Sequence, residues 1–320
     1  MNWFINFGVI MRILIIGSGG VGGFYGAKLV QAGHDVTFVA RGQHLEAMRK
    51  TGLQIEGDSG ISLALQHVTV VEDPCTVKHP DLVLIAVKLW DLKDMAAQLK
   101  DVVGPSTTVL SLQNGVVKDI VLKKAFGDKA VIGGVGYVAT SIGRPGVIKQ
   151  VGNLQKIRLG TYGGAPSPLV SELANSLASV GVDALVSDDI QRVLWEKFVF
   201  LVGLSSMTCL TRLTIGPIRE NPVSRHMLQC VISEAVNTGL AHKVALPPDY
   251  AATAMALVDQ LPYTMTSSMF HDLDKGNRLE LPWLGGGVIA LAEEAGVQVP
   301  VNQFIADALA PHVNGRPAGK

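Results

Sequence analysis

Cysteine is scarce in this chain. Cys75, Cys209 and Cys230 form no CxxC pair and have no histidine at metal-ligand spacing. An odd count without a framework argues against a disulfide scaffold and predicts no metal site; it suits reduced thiols in a cytoplasmic protein. Charge is sparse too: only 17% of the 320 residues are charged, and 27 Lys+Arg face 27 Asp+Glu. A neutral chain with no basic cluster lacks the phosphate-neutralising surface that nucleic acid requires, so no nucleic-acid partner is expected. Long apolar runs are also missing. Mean hydropathy is +0.32, yet no 18-residue window is free of charges, helix breakers and polar residues together, so no membrane span is expected. Residues 1–10 carry no positive n-region and lead at once into a strand, so they do not read as a signal peptide; Met11 is a natural start.

What is abundant is apolar content, at 48% of residues, enough for a sizeable core and, at this length, for two domains. The first half alternates short apolar runs with helical patterns, which predicts a parallel sheet wrapped by helices. Strands are expected at Arg12–Ile16 and at residues 36–40, 82–87, 108–112 and 130–138, with short extra strands inside 53–71. Two antiparallel additions at 147–151 and 157–162, a helix near 169–179 and a last strand at 183–186 complete this half. From Asp189 helical periodicity takes over, at 190–204, 223–242, 249–257, 266–274 and 283–295, with prolines between the helices. The fold class is therefore α/β: a Rossmann-type parallel-sheet domain over 11–188, then an all-α domain over 189–320. The apolar second half suits either a core or a homodimer interface.

Gly17-Ser18-Gly19-Gly20-Val21-Gly22 follows the first strand and precedes a helix expected at 23–32. In that context the glycines mark a dinucleotide turn. The first permits the tight bend, the second lets backbone approach a diphosphate, and the third allows helix and strand to pack closely. The helix N-terminus then holds the anion through free N–H groups and its dipole. An NAD enzyme usually places a carboxylate at the end of the next strand. Here that strand runs into Arg41, with no acid until Glu46. A planar cation suits a 2′-phosphate, so NADP(H) is the expected cofactor. Lys88 and Asn114, with Gly115 after it, close two further strands and point to the same crevice.

Reducing a ketone leaves an alkoxide that must be protonated. His226 and His242 sit among mixed helical residues and read as structural. Lys197, inside the nearly all-apolar Leu194-Trp-Glu-Lys-Phe-Val-Phe-Leu201, is the better donor, because a buried lysine needs a partner or a task and desolvation brings its pKa towards the working pH. Ser267-Ser268 at a helix start and Glu280 before an apolar stretch are candidate partners.

In this order, Gly17-x-Gly19-x-x-Gly22, Lys88, Asn114-Gly115, Trp195-x-Lys197, Ser267-Ser268-Met269-x-x-Asp272 and Glu280 resemble the ketopantoate reductase family over nearly the whole chain from Met11. The resemblance implies NADPH-dependent reduction of 2-dehydropantoate to (R)-pantoate on the route to pantothenate. It implies Lys197 as proton donor and Glu280 as the acid near ketone and cofactor. Ser268 matches a substrate-binding serine. Lys88, Asn114 and Ala139 match cofactor contacts, Asn114 reaching substrate as well, and Arg41 matches the cation at the 2′-phosphate. One departure stands out: the family's asparagines four and eight residues after the lysine are here Leu201 and Ser205. They share a helix face with Lys197, so the substrate wall gains an isobutyl group and loses amides. That predicts weaker recognition of a hydroxylated substrate and opens two alternatives: reduction of a more apolar 2-oxo acid or imine, or a non-catalytic NADP(H) sensor.

Overall fold

A computed structural model of the chain describes residues 9–58 and 60–316; of the segment 1–10, all but Val9 and Ile10 lie outside it. The described residues form two compact units. One runs to Gln113 and resumes over Lys118–Ile190; the other joins Asn114–Val117 to the residues from Gln191 onward.

The first unit opens with β1 (Arg12–Ile16), α1 (Gly20–Gln31), β2 (Asp35–Val39) and α2 (Gly42–Thr51). Short strands β3 (Leu53–Gly57), β4 (Gly60–Leu65) and β5 (Thr69–Val71) follow. Next come β6 (Leu82–Ile85), α3 (Leu92–Gln98), β7 (Thr108–Ser111) and α4 (Val117–Phe126). The unit ends with β8 (Val131–Arg144), β9 (Val147–Gly160), α5 (Pro168–Ser179) and β10 (Asp183–Val186).

The strands lie in the order β4-β3-β9-β8-β7-β6-β1-β2-β5, with β10 beside β9. From β8 to β5 every pairing is parallel. Leu14, Ile15 and Ile16 of β1 are fully buried, because a central parallel strand is covered on both faces and reads as a continuous apolar run. Ile13 pairs with Val36 of β2 on one side and Leu82 of β6 on the other. Strand order therefore reverses at β1, and in a doubly wound sheet the ligand crevice lies outside the carboxyl ends at that switch. This is the Rossmann-type half expected from the sequence.

One expectation is corrected. The two separate additions at 147–151 and 157–162 are a single 14-residue strand, β9. Its register against β8 slips between Val138 and Thr140, and Gly152 sits there at φ +66°. A bulge interrupts the alternation without ending the strand.

The second unit contains α6 (Ile190–Thr211), α7 (Ile215–Glu220), α8 (Pro222–Ala241), α9 (Tyr250–Asp259), α10 (Ser268–Lys275), α11 (Gly285–Ala295) and α12 (Pro300–Leu309). It is the helical second half expected. α6 runs a further two turns beyond residue 204. Its Ser/Thr-rich end stays helical because the Thr208 hydroxyl donates to the Leu204 carbonyl (2.6 Å) and Thr211 to Met207 (2.7 Å), back-bonding within the helix. By length and composition α6 could cross a membrane, but 67% of its most apolar window is buried inside the protein; it is a core helix. α12 was not anticipated. Pro300 reads as a breaker, yet in the first turn it removes only an N–H that has no partner in any helix. His242 is stacked on Trp195, with its Nε2 2.7 Å from the Leu291 carbonyl.

Candidate functional site

Chain segments leave the carboxyl ends of β1, β2, β6 and β7 at Gly17, Arg41, Lys88 and Asn114, the positions singled out in the sequence. Gly17 has φ +91°, and a β-carbon there would stand 2.8 Å from the Val87 nitrogen; only glycine makes this turn without strain. A β-carbon on Gly22 would collide with the Gly17 carbonyl oxygen, which is the close helix–strand approach the third glycine allows. Gly19 is different: nothing lies within 4 Å of its β-carbon position. α1 begins at Gly20, earlier than expected, and Gly19 caps it without a side chain. The N–H groups of Gly20, Val21 and Gly22 are therefore the first-turn donors that a helix cannot satisfy, beside open space and at the positive end of the helix dipole. That arrangement fits a diphosphate. Ser18 ties the loop to β2, donating from both its backbone N–H (3.2 Å) and its hydroxyl (2.9 Å) to the Val39 carbonyl. β8 runs so close that the Thr140 carbonyl would meet a β-carbon on Gly20, which puts exposed Ala139 one residue from that approach.

Arg41 is the extended N-cap of α2, exposed and without an ion-pair partner among the described residues. It lines a cavity of about 340 Å³ together with Gly17, Asp91 and Asp94. Lys88 holds its ammonium 5.5 Å from the centre of the Trp90 ring. Behind Asn114 lies a buried polar network. The Gln113 amide donates to the Val87 carbonyl (2.8 Å), and the Ser111 hydroxyl donates to the Gln113 amide oxygen (3.0 Å). Lys118, only 1% exposed, donates to the Ser111 carbonyl (3.1 Å) and to Asp119 (2.8 Å). A buried cation is tolerated when paired and fully bonded, and this one fixes the end of β7.

In the helical unit three segments meet at Phe198, next to Lys197 on α6. A β-carbon on Gly115 (φ +83°) would stand 3.2 Å from the Trp283 carbonyl and 3.9 Å from the Phe198 ring. One on Gly287 would stand 3.6 Å from Phe198 and 3.5 Å from Val117. The Asn114 loop, the lysine helix and the segment after Glu280 are thus brought together. Glu280 is 7% exposed, and its carboxylate has no hydrogen bond or ion pair among the described residues. Lys197 and Leu201 are half-buried and Ser205 is buried along one face of α6. The serine pair divides its labour. Ser267 is buried and caps α10, accepting from the Phe270 N–H (3.0 Å) and lying 3.2 Å from the Thr208 hydroxyl. Ser268 is exposed. Nearby Cys209 is no nucleophile: burial pushes its thiol up to about 12.

Two family models match the chain, Ketopantoate reductase PanE/ApbA over residues 13–164 and its C-terminal counterpart over 189–312. The chain belongs to the ketopantoate reductase family. It is an oxidoreductase of the pyridine-nucleotide-dependent kind acting on a 2-oxo acid. A 2-dehydropantoate 2-reductase of Archaeoglobus fulgidus is 29% identical over 299 residues, covering 92% of this chain and 96% of that protein. The crystal structure of a PanE/ApbA family ketopantoate reductase from Ralstonia eutropha superposes with a TM-score of 0.85 at 30% identity, covering 95% of this chain and 98% of the other. A D-mandelate dehydrogenase solved with NADH and anilino(oxo)acetate shares the fold, with a TM-score of 0.84 at 21% identity, covering 95% of this chain and 98% of its own.

Sequence reasoning about this ketopantoate reductase relative missed three features of the site. Asp91 and Asp94 join Arg41 in one cavity from about fifty positions away along the chain. His44 bonds the glycine loop. Lys118 and Asp119 form a buried ion pair on α4.

Proposed function

We propose that this protein is a cytoplasmic NADPH-dependent reductase that converts 2-dehydropantoate to (R)-pantoate. The observation that carries the reading is the convergence at Phe198 of the Asn114 loop, the Lys197 helix and the segment after Glu280. Nicotinamide dinucleotide, when bound, supplies the hydride. The chain's own residues do the rest. The N–H groups of Gly19, Gly20, Val21 and Gly22 hold the diphosphate, with Gly17 and Ser18 shaping the turn. Arg41 binds the 2′-phosphate, and Lys88 and the backbone at Ala139 contact the cofactor. Asn114 contacts cofactor and substrate. Ser268 anchors the substrate, while Leu201 and Ser205 form its side wall. Lys197 delivers a proton to the ketone oxygen as negative charge grows there, and Glu280 is the acid near the ketone and the cofactor.

Two observations support second readings. Leu201 presents an alkyl group where a hydroxylated substrate is served better by an amide, which favours a more apolar 2-oxo acid or imine. Asp91 and Asp94 in the Arg41 cavity are groups that accept from ribose hydroxyls, which favours NADH as well as NADPH. Steady-state oxidation of NADPH and of NADH over a panel of 2-oxo acids including 2-dehydropantoate decides among them. The expected outcome is the highest kcat/KM for 2-dehydropantoate with NADPH. A higher value for an alkyl or aryl 2-oxo acid transfers the assignment, and no turnover with any member leaves a dinucleotide sensor.

A further inference from the structure

His44, on the first turn of α2, is half-buried and makes two directional contacts. Its Nε2 lies 2.9 Å from the Ser18 carbonyl oxygen, and its Nδ1 lies 3.1 Å from the backbone nitrogen of Gly146. A backbone N–H can only donate and a carbonyl can only accept, so both contacts are satisfied by one state alone: the neutral ring with its proton on Nε2. The ring therefore bridges the glycine loop and the β8–β9 turn. That turn is anchored independently, since the Gly146 carbonyl accepts from the Gln54 N–H (3.0 Å).

The Ser18 carbonyl belongs to the peptide that carries the Gly19 N–H. In a trans peptide the C=O and N–H point in opposite directions, so holding the one towards His44 turns the other away from it. Gly19 is the glycine whose β-carbon position meets nothing within 4 Å. Its flexible backbone has no side chain of its own to fix that peptide plane.

We propose that His44 is a positioning residue of the dinucleotide site: by binding the Ser18 carbonyl it fixes the Ser18–Gly19 peptide so that the Gly19 N–H is presented to the diphosphate. The proposal rests on the cofactor site described above and adds a residue outside the glycine motif. It also carries a pH consequence. Burial holds the ring's pKa below the ordinary histidine range, with the Ser18 carbonyl opposing weakly. Protonation of Nδ1 sets two N–H groups head to head at Gly146, and the ring must then leave one contact. The elements packed around His44 carry Arg41, Glu46, Arg49 and Lys50 on α2, Arg144 and Lys149 on the hairpin, and Glu56 on β3. Glu46 is paired with Arg49 (3.2 Å) and Glu56 with Arg144 (2.7 Å).

The test compares the full-length protein with His44→Phe, which keeps a ring and loses both bonds, and with His44→Gln, which retains a donor for Ser18 and cannot be protonated. NADPH and NADH dissociation constants are measured by fluorescence titration from pH 5 to 8, with kcat at saturating cofactor and the melting temperature of the free protein alongside. Loss of a bond that leaves its partner unpaired is expected to weaken dinucleotide binding by roughly tenfold in His44→Phe, with kcat and melting temperature little changed. His44→Gln should recover affinity to within about threefold. Below the ordinary histidine range, about pH 6.5, the wild type should lose affinity for both dinucleotides relative to the glutamine variant; the ratio between the two proteins cancels titration of the 2′-phosphate. Equal affinities of wild type and His44→Phe sink the proposal, as does a glutamine variant as weak as the phenylalanine one. If His44→Phe does not fold, the pH profiles of wild type and His44→Gln decide alone, and parallel profiles refute it. A wild type that binds neither dinucleotide overturns the cofactor site itself, a separate failure.

Discussion

In the sheet unit the groups proposed to meet a ligand are mostly backbone: a glycine loop, a helix N-terminus and strand ends, held in place by partners such as the Val39 carbonyl bound by Ser18. In the helical unit the groups proposed to meet one are side chains (Lys197, Glu280 and Ser268), with Leu201 and Ser205 proposed as the wall beside them. A backbone site allows little choice of residue, because an added β-carbon strikes main chain. A side-chain site can be retuned one residue at a time while the helices stay put. The difference lets one type of cofactor loop serve different substrates on one fold.

That contrast can be broken at four points, from the largest effect to the smallest. Lys197→Ala should lower turnover by about 10²–10⁴-fold while dinucleotide binding, followed by fluorescence, stays the same; retained turnover removes the lysine from the chemistry. Lys118→Met leaves Asp119 buried without its cation, which costs about 3–5 kcal/mol. At roughly 2–4 °C per kcal/mol, calorimetry should show a clear fall in melting temperature, and an unchanged value means the pair is not buried in solution. Gly22→Ala forces a β-carbon against the Gly17 carbonyl, and such overpacking costs about 1–3 kcal/mol. That loss should appear as weaker dinucleotide binding, with the isolated effect on 2-oxo acid KM at saturating cofactor close to nil. Arg41→Ala should weaken NADPH by roughly tenfold, the loss of a charged hydrogen bond, and leave NADH within about twofold; equal losses for both would place the 2′-phosphate elsewhere.

The candidate site was proposed residue by residue. Gly17, Gly19 and Gly22 stand out by their spacing after a strand, and the fold gives Gly17 and Gly22 a steric reason while Gly19 borders open space. Lys197 stands out because an ammonium in an apolar helix contradicts its surroundings. Strand β9 and helix α6 were cut short because a bulge at Gly152 and a run of serines and threonines imitate a boundary. In the folded chain a β8 partner and i−4 carbonyls absorb those irregularities. Asp91, Asp94 and His44 gave no signal, since each gains its meaning from a group far away in sequence.

The sequence by itself determined the alternation of buried strands and helices, the glycine turn after β1 and the cation after β2, because steric freedom, apolar periodicity and charge are properties of a residue and its near neighbours. Only the tertiary structure decided that β1 and β6 lie side by side at the reversal of strand order, that two aspartates share a cavity with Arg41, and that a histidine bonds both Ser18 and Gly146. Hydrogen bonds and cavities are made between segments, and their geometry exists once packing has fixed which segments meet.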